Sequence, residues 1–219
     1  MTAGGNERGA APRRWRMAAA AAVAALTAMA LAVAPAAAGN KINQRADVMN
    51  QGGDGVARHN GAKLERRVHS IEVEFKMPTP APGSYLYPTP DLIPPGAPPH
   101  PELVPGYPEV FSLWAFVFNH PENCTDPCNI DDIGDTPAMG GVFQLDATIA
   151  YGSKVDMGGT VWVSELAALG VPLSNPLGAE VHIAGAPHGM ALEGADLTRQ
   201  LNGAVGGPPH WFPALFFAP

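Results

Sequence analysis

Glu180, His182 and His188 fall close together in a chain that holds only seven histidines. In an extended strand, Glu180 and His182 point to one face, about 7 Å apart. At that separation the carboxylate can orient the imidazole for acid–base work or share an ion with it. His188 follows Gly185-Ala186-Pro187, a stretch that predicts a turn back toward the same face. With His120 or His210 as a further donor, the set suits zinc or copper, which take three or four such ligands. The same residues also read as a solvated strand face with a histidine in a Gly-flanked turn, and spacing alone leaves both readings open.

A second group lies upstream. Asp131, Asp132 and Asp135 crowd one loop, and oxygen-rich loops bind calcium when carboxylates and carbonyls converge. The spacing matches no calcium loop, because Gly134 comes late and no glutamate closes the loop. Next to it stand both cysteines of the chain, Cys124 and Cys128. A pair this close predicts a disulfide, which needs Cα atoms within about 7 Å and a tight turn between them. Closing so short a loop stabilises by only about 2 kcal/mol. A redox or metal-binding C-x-x-x-C pair is the alternative, with no further cysteine to complete a thiolate set. Nucleophilic catalysis has little support: Ser164 and Ser174 have no histidine near in sequence, and no serine sits in a nucleophile-elbow pattern.

The elements that must position these groups are strands. Ile71, Val73, Phe75 and Met77 alternate with Glu72, Glu74 and Lys76, as in a half-buried strand. Residues 110–119 are apolar on both alternating faces, as in a strand buried on both sides. Further strands are expected near 143–149, over 154–166 with a bulge or bend at Gly158-Gly159, near 179–186 and near 210–218. A turn or two of helix is expected after Asp196, running to Gly203. Six or seven strands with frequent Gly/Pro turns predict an all-β fold, an antiparallel β-sandwich or small barrel spanning residues 69–219. Residues 78–109 carry 12 of the 24 prolines. They read as a long Pro-rich loop whose large apolar residues tuck against the domain, or as a polyproline ligand for a recognition groove. Residues 39–68, polar and rich in glycine, read as a flexible leader.

Residues 1–38 read as a signal peptide: four arginines, an apolar run from Met17 to Ala34, and small residues at Ala36 and Ala38 that suit cleavage there. A retained anchor is the rival reading, but alanine supplies most of the run. Cleavage leaves nine basic against 19 acidic residues, a net charge of −10. Only Lys154 and Arg199 are basic beyond residue 77, against 14 acids. Such a body repels nucleic acid and anionic lipid, so neither is an expected partner, and no stable membrane insertion is expected after cleavage.

The segments "FVFNHPENCTDPC" and "NPLGAEVHIAGAPHG" carry a resemblance. Together they are similar to a group of uncharacterised exported proteins from GC-rich bacteria that pair a "VFN-P--C" strand end with a later "P-GAEVH------HG" segment. The similarity spans roughly residues 69–219. It implies export and a shared fold, places Glu180, His182, His188 and Gly189 in the group's signature, and implies no activity. The expectation is a secreted binding or structural module with an unknown extracellular ligand or protein partner. The alternative is a metal-binding protein or metal-dependent enzyme using His182, His188 and Glu180.

Overall fold

A computed structural model describes residues 41–81, 84–86, 107–124, 127–203, 208–214 and 217–219. The expected signal peptide lies outside these residues, as does most of the Pro-rich stretch, including Tyr87, Leu92 and Ile93. Among the described residues, no helix is long and apolar enough to cross a membrane.

The strands are β1 (Lys41–Met49), β2 (Val56–Arg67), β3 (Ser70–Pro78), β4 (Glu109–Phe118), β5 (Gly140–Ala150), β6 (Lys154–Trp162), β7 (Leu169–Gly170), β8 (Glu180–Met190) and β9 (Phe212–Pro213). An α-helix, α1 (Gly194–Leu201), stands between β8 and β9. The strands form two antiparallel sheets, ordered β1-β2-β3-β6 and β7-β5-β4-β8-β9. The all-β sandwich expected from the alternation is the fold.

Two expectations at the N-terminal side and in strand number need correction. Residues 41–67 are not a flexible leader but two paired strands, and the described residues hold nine strands where six or seven were expected. The segment reads as polar because its outward side chains are charged. Its inward ones, Val48, Ala62 and Leu64, lie in the core with Ile71, Val73 and Phe75 of β3. Polarity averaged over the segment concealed a period of two.

β4 has the doubly apolar character that its sequence predicts. Phe111, Leu113, Ala115 and Val117 face the space between the sheets. On the other face, Trp114 packs with Val142 and Ala186, and Phe116 stacks near Trp211 at 5.5 Å. α1 lies over this outer face. Gln144 Nε2 donates to the Leu201 carbonyl, and Gln200 Nε2 donates to those of His188 and Met190.

The Gly158-Gly159 pair is no bulge, since β3 and β6 pair without a break from Ser70–Trp162 to Pro78–Lys154. These glycines permit close approach instead. A Cβ on Gly158 would stand 2.7 Å from the Val73 carbonyl oxygen, and one on Gly159 would stand 2.6 Å from that of Leu145. The bulge falls in β5, where Leu145 is the extra residue opposite Leu113 and Trp114. Beside it, Asp146 accepts a hydrogen bond from the Gly158 N–H at 3.0 Å, linking the two sheets at that corner.

Candidate functional site

β8 carries the residues singled out by sequence, and it does not bend where a turn was expected. It continues through Gly185-Ala186-Pro187 to Met190, paired with β4 throughout. Gly185 is in the strand because the Phe75 ring passes close by, 2.9 Å from where a Cβ would stand. Pro187 and Gly189 flank a one-residue bulge at His188, between the Phe111–Pro187 and Val110–Gly189 pairs. A bulge tolerates a residue without an N–H, and Gly189 takes a φ of 80°, which favours glycine.

His182 and His188 are therefore separated by six residues of strand, roughly 20 Å. The convergence of Glu180, His182 and His188 on one ion, which the sequence left open, does not occur.

Glu180 and His182 do meet. His182 Nε2 lies 2.6 Å from Glu180 Oε1, and the same oxygen accepts the Cys128 N–H at 3.0 Å. Glu180 is buried, His182 is partly exposed, and the Phe118 ring stands 5.3 Å from the imidazole. The carboxylate thus fastens the loop after β4 to the start of β8. Cys124 and Cys128 are joined as a disulfide, with Cα atoms 5.0 Å apart.

His188 has a different surrounding. It is buried beneath α1, and its Nε2 lies 2.7 Å from Ser112 Oγ, which also accepts the Trp114 indole N–H at 2.8 Å. Sequence reasoning missed this pair because 76 residues separate its members. The available signal was Ser112, the one hydroxyl among the apolar residues of β4.

The weaker candidates are scattered. His120 Nδ1 contacts the Glu122 carboxylate at 3.1 Å on the surface. The His210 carbonyl accepts from Gln51 Nε2. Asp132 closes a capping box through Oδ2, which accepts from the Asn129 N–H while Asn129 Oδ1 accepts from the Asp131 N–H. Asp131 and Asp135 are exposed.

Two residues that sequence reasoning passed over organise this end of the sandwich. Arg66, fully buried, spends all five guanidinium N–H groups: Nε donates to Gln44 Oε1, one terminal nitrogen to the Pro176 and Ala179 carbonyls, the other to those of Phe217 and Ala218. Burial lowers its pKa from 12.5 to about 10, while the Glu180 charge pulls the other way, so the side chain stays protonated at neutral pH. Asn119 is also buried. Its side-chain amide donates to the Met139 and Pro172 carbonyls, and its Oδ1 accepts from the Ser174 and Asn175 N–H groups.

Together with Glu180, which holds the Cys128 N–H, these hubs bring together the disulfide loop, the β6–β8 connection and the start of β8. Beside them, Trp162, Leu166 and Leu169 are exposed at 58%, 84% and 60%. Val68, in the adjoining β2–β3 turn, is exposed as well.

No protein-family model, curated protein or solved structure matches the chain.

Proposed function

We propose that this chain is an exported β-sandwich that works as a binding module, taking its partner at the end of the sandwich where the disulfide loop lies. The observation that carries the reading is a rigid end with an apolar rim. Asn119, Arg66 and Glu180 tie its loops to the strands, and Trp162, Leu166 and Leu169 project from it into solvent. Loops held by a scaffold lose little entropy on binding, and an exposed tryptophan with aliphatic neighbours is the composition of a contact hot spot. Export is supported by the basic, apolar and small-residue order of residues 1–38. A metal enzyme built on His182 and His188 loses support from their separation along β8.

Retention of the purified full chain on cell-envelope fractions tests the reading. Replacing Trp162, Leu166 and Leu169 by serine is expected to abolish retention while leaving the melting temperature unchanged. Equal retention of a normally folded triple variant would refute a partner site at this rim.

A further inference from the structure

The disulfide loop holds a third donor that the cysteine count alone could not supply. The Cys124 and Cys128 sulfurs and a carboxylate oxygen of Asp132 all lie within 4.8 Å of one another. We infer that Cys124, Cys128 and Asp132 form a reduction-gated cation site: closed to metal as the disulfide, and a ligand set for a soft divalent ion such as zinc when the bond is reduced.

The geometry suits such an ion. Around a tetrahedral zinc, sulfur ligands at about 2.3 Å and a carboxylate oxygen at about 2.0–2.2 Å stand roughly 3.3–3.8 Å from each other. Once the bond is reduced the two sulfurs must move apart to those separations, which rotation about their Cα–Cβ bonds supplies, while the Asp132 oxygen already lies within 4.8 Å of both. The fourth position is left to water. Residues on either side of the bond have hydrogen bonds of their own. The Cys124 N–H donates to the Pro121 carbonyl at 3.0 Å and the Cys128 N–H to Glu180. Asn123 Nδ2 reaches the Pro137 carbonyl at 2.9 Å, and the Asn129–Asp132 capping box fixes the third ligand. Both cysteines and Asp132 are thus anchored by separate hydrogen bonds, and the bond itself closes too short a loop to contribute much to stability.

Charge points the same way. Two thiolates and one carboxylate make a trianionic set, and the exposed Asp131 and Asp135 on the same loop add to the negative field. Such a set repels anions and attracts a divalent ion.

The chemistry balances with a dithiol reductant. Dithiothreitol gives up two electrons and two protons and closes to its cyclic disulfide, while Cys124 and Cys128 become thiols. Binding the ion then displaces the two thiol protons to solvent, so affinity rises with pH.

Cobalt(II) titration of the full chain tests the inference, after anaerobic reduction and removal of the reductant. One equivalent is expected to bind with the thiolate-to-cobalt charge-transfer band and the tetrahedral ligand-field bands, and zinc is expected to displace it. The oxidised chain is expected to give neither. Asp132→Asn keeps an oxygen to accept from Asn129, so the loop is retained while affinity falls by roughly tenfold or more; Asp131→Asn is expected to leave affinity unchanged. Near-ultraviolet circular dichroism checks that the reduced chain stays folded. The inference is overturned by a reduced chain that binds no cobalt, by one that unfolds on reduction, by binding to the oxidised chain, or by full affinity in Asp132→Asn. Each result bears on this loop alone and is independent of the apolar rim.

Discussion

The Arg66 guanidinium reaches the Phe217 carbonyl at 3.0 Å, joining β2 to the end of the chain across 151 residues of sequence. The same group holds the Pro176 and Ala179 carbonyls, so one side chain fastens three separate segments. A guanidinium suits this place because its five donors fan out in one plane, and no other side chain carries that many.

Arg66→Met is therefore expected to cost about 3 kcal/mol or more, because it leaves the Pro176 and Ala179 carbonyls buried without their donor. Arg66→Lys keeps the charge but has too few donors to span all the acceptors, and its loss is expected to be intermediate. Urea denaturation of the three proteins checks this. A methionine variant within about 0.5 kcal/mol of the parent would show that the bonds contribute nothing net.

The all-β class, strand alternation and the two-faced burial of β4 were legible in the sequence because each shows in local patterns, whereas the order of strands in the two sheets is set by long-range pairing. The strand at 41–49 was hidden because five of its nine residues are polar or charged and its four apolar ones, Ile42, Ala46, Val48 and Met49, do not alternate regularly. The turn expected at Gly185-Ala186-Pro187 was a misreading of punctuation. Gly185 makes room for the Phe75 ring, and Pro187 sits beside a bulge. Both reasons come from neighbours distant in sequence. For the candidate site, the Glu180–His182 contact followed from strand parity, whereas the role of Glu180 in holding the Cys128 N–H did not. Arg66 was invisible as a hub, since an arginine inside a polar run reads as solvated until its neighbours in space are known.

The outer face of the β1-β2-β3-β6 sheet gives a pH dependence. Glu65 sits between Lys41 at 2.7 Å and Arg67, and Glu74 meets Lys63 at 2.8 Å. Hydrogen bonds from Lys41 and then Arg67 hold the Glu65 carboxyl below its usual 4.5, and Lys63 does the same for Glu74. Asp47 is lowered from 3.8, first by the Asn60 N–H and then by His59. Carboxyls with a lowered pKa in the folded state bind fewer protons there than in the unfolded chain. Their contribution is thus present above the ordinary carboxylate range and is lost as pH falls through the lowered values. The melting temperature is expected to vary little from about pH 5 to 7 and to decline below about pH 4. The decline is expected to be shallower in a Glu65→Gln/Glu74→Gln variant, which has fewer carboxylates to protonate. Parallel acid limbs for parent and variant would place the acid sensitivity elsewhere.

Ser112 and His188 form a hydroxyl–imidazole contact of 2.7 Å, the spacing of a nucleophile and its base, yet the surroundings argue for a structural role. Ser112 is fully buried, His188 is 1% exposed, and α1 covers them through the Gln200 bond to the His188 carbonyl. The Trp114 indole can only donate, so Ser112 Oγ accepts its N–H. With His188 in its Nδ1–H tautomer, a serine that accepts from Trp114 and donates to Nε2 serves both neighbours at once. It also keeps one oxygen lone pair occupied, which weakens the hydroxyl as a nucleophile. Ser112→Ala is then expected to cost about 1–3 kcal/mol by leaving the indole N–H buried and without its acceptor. The folded parent is expected to resist labelling by a fluorophosphonate at neutral pH. Denaturation curves and intact-mass measurement after incubation check both statements. A stoichiometric adduct at Ser112 in the folded chain would overturn the structural reading and make α1 a movable cover over a reactive dyad.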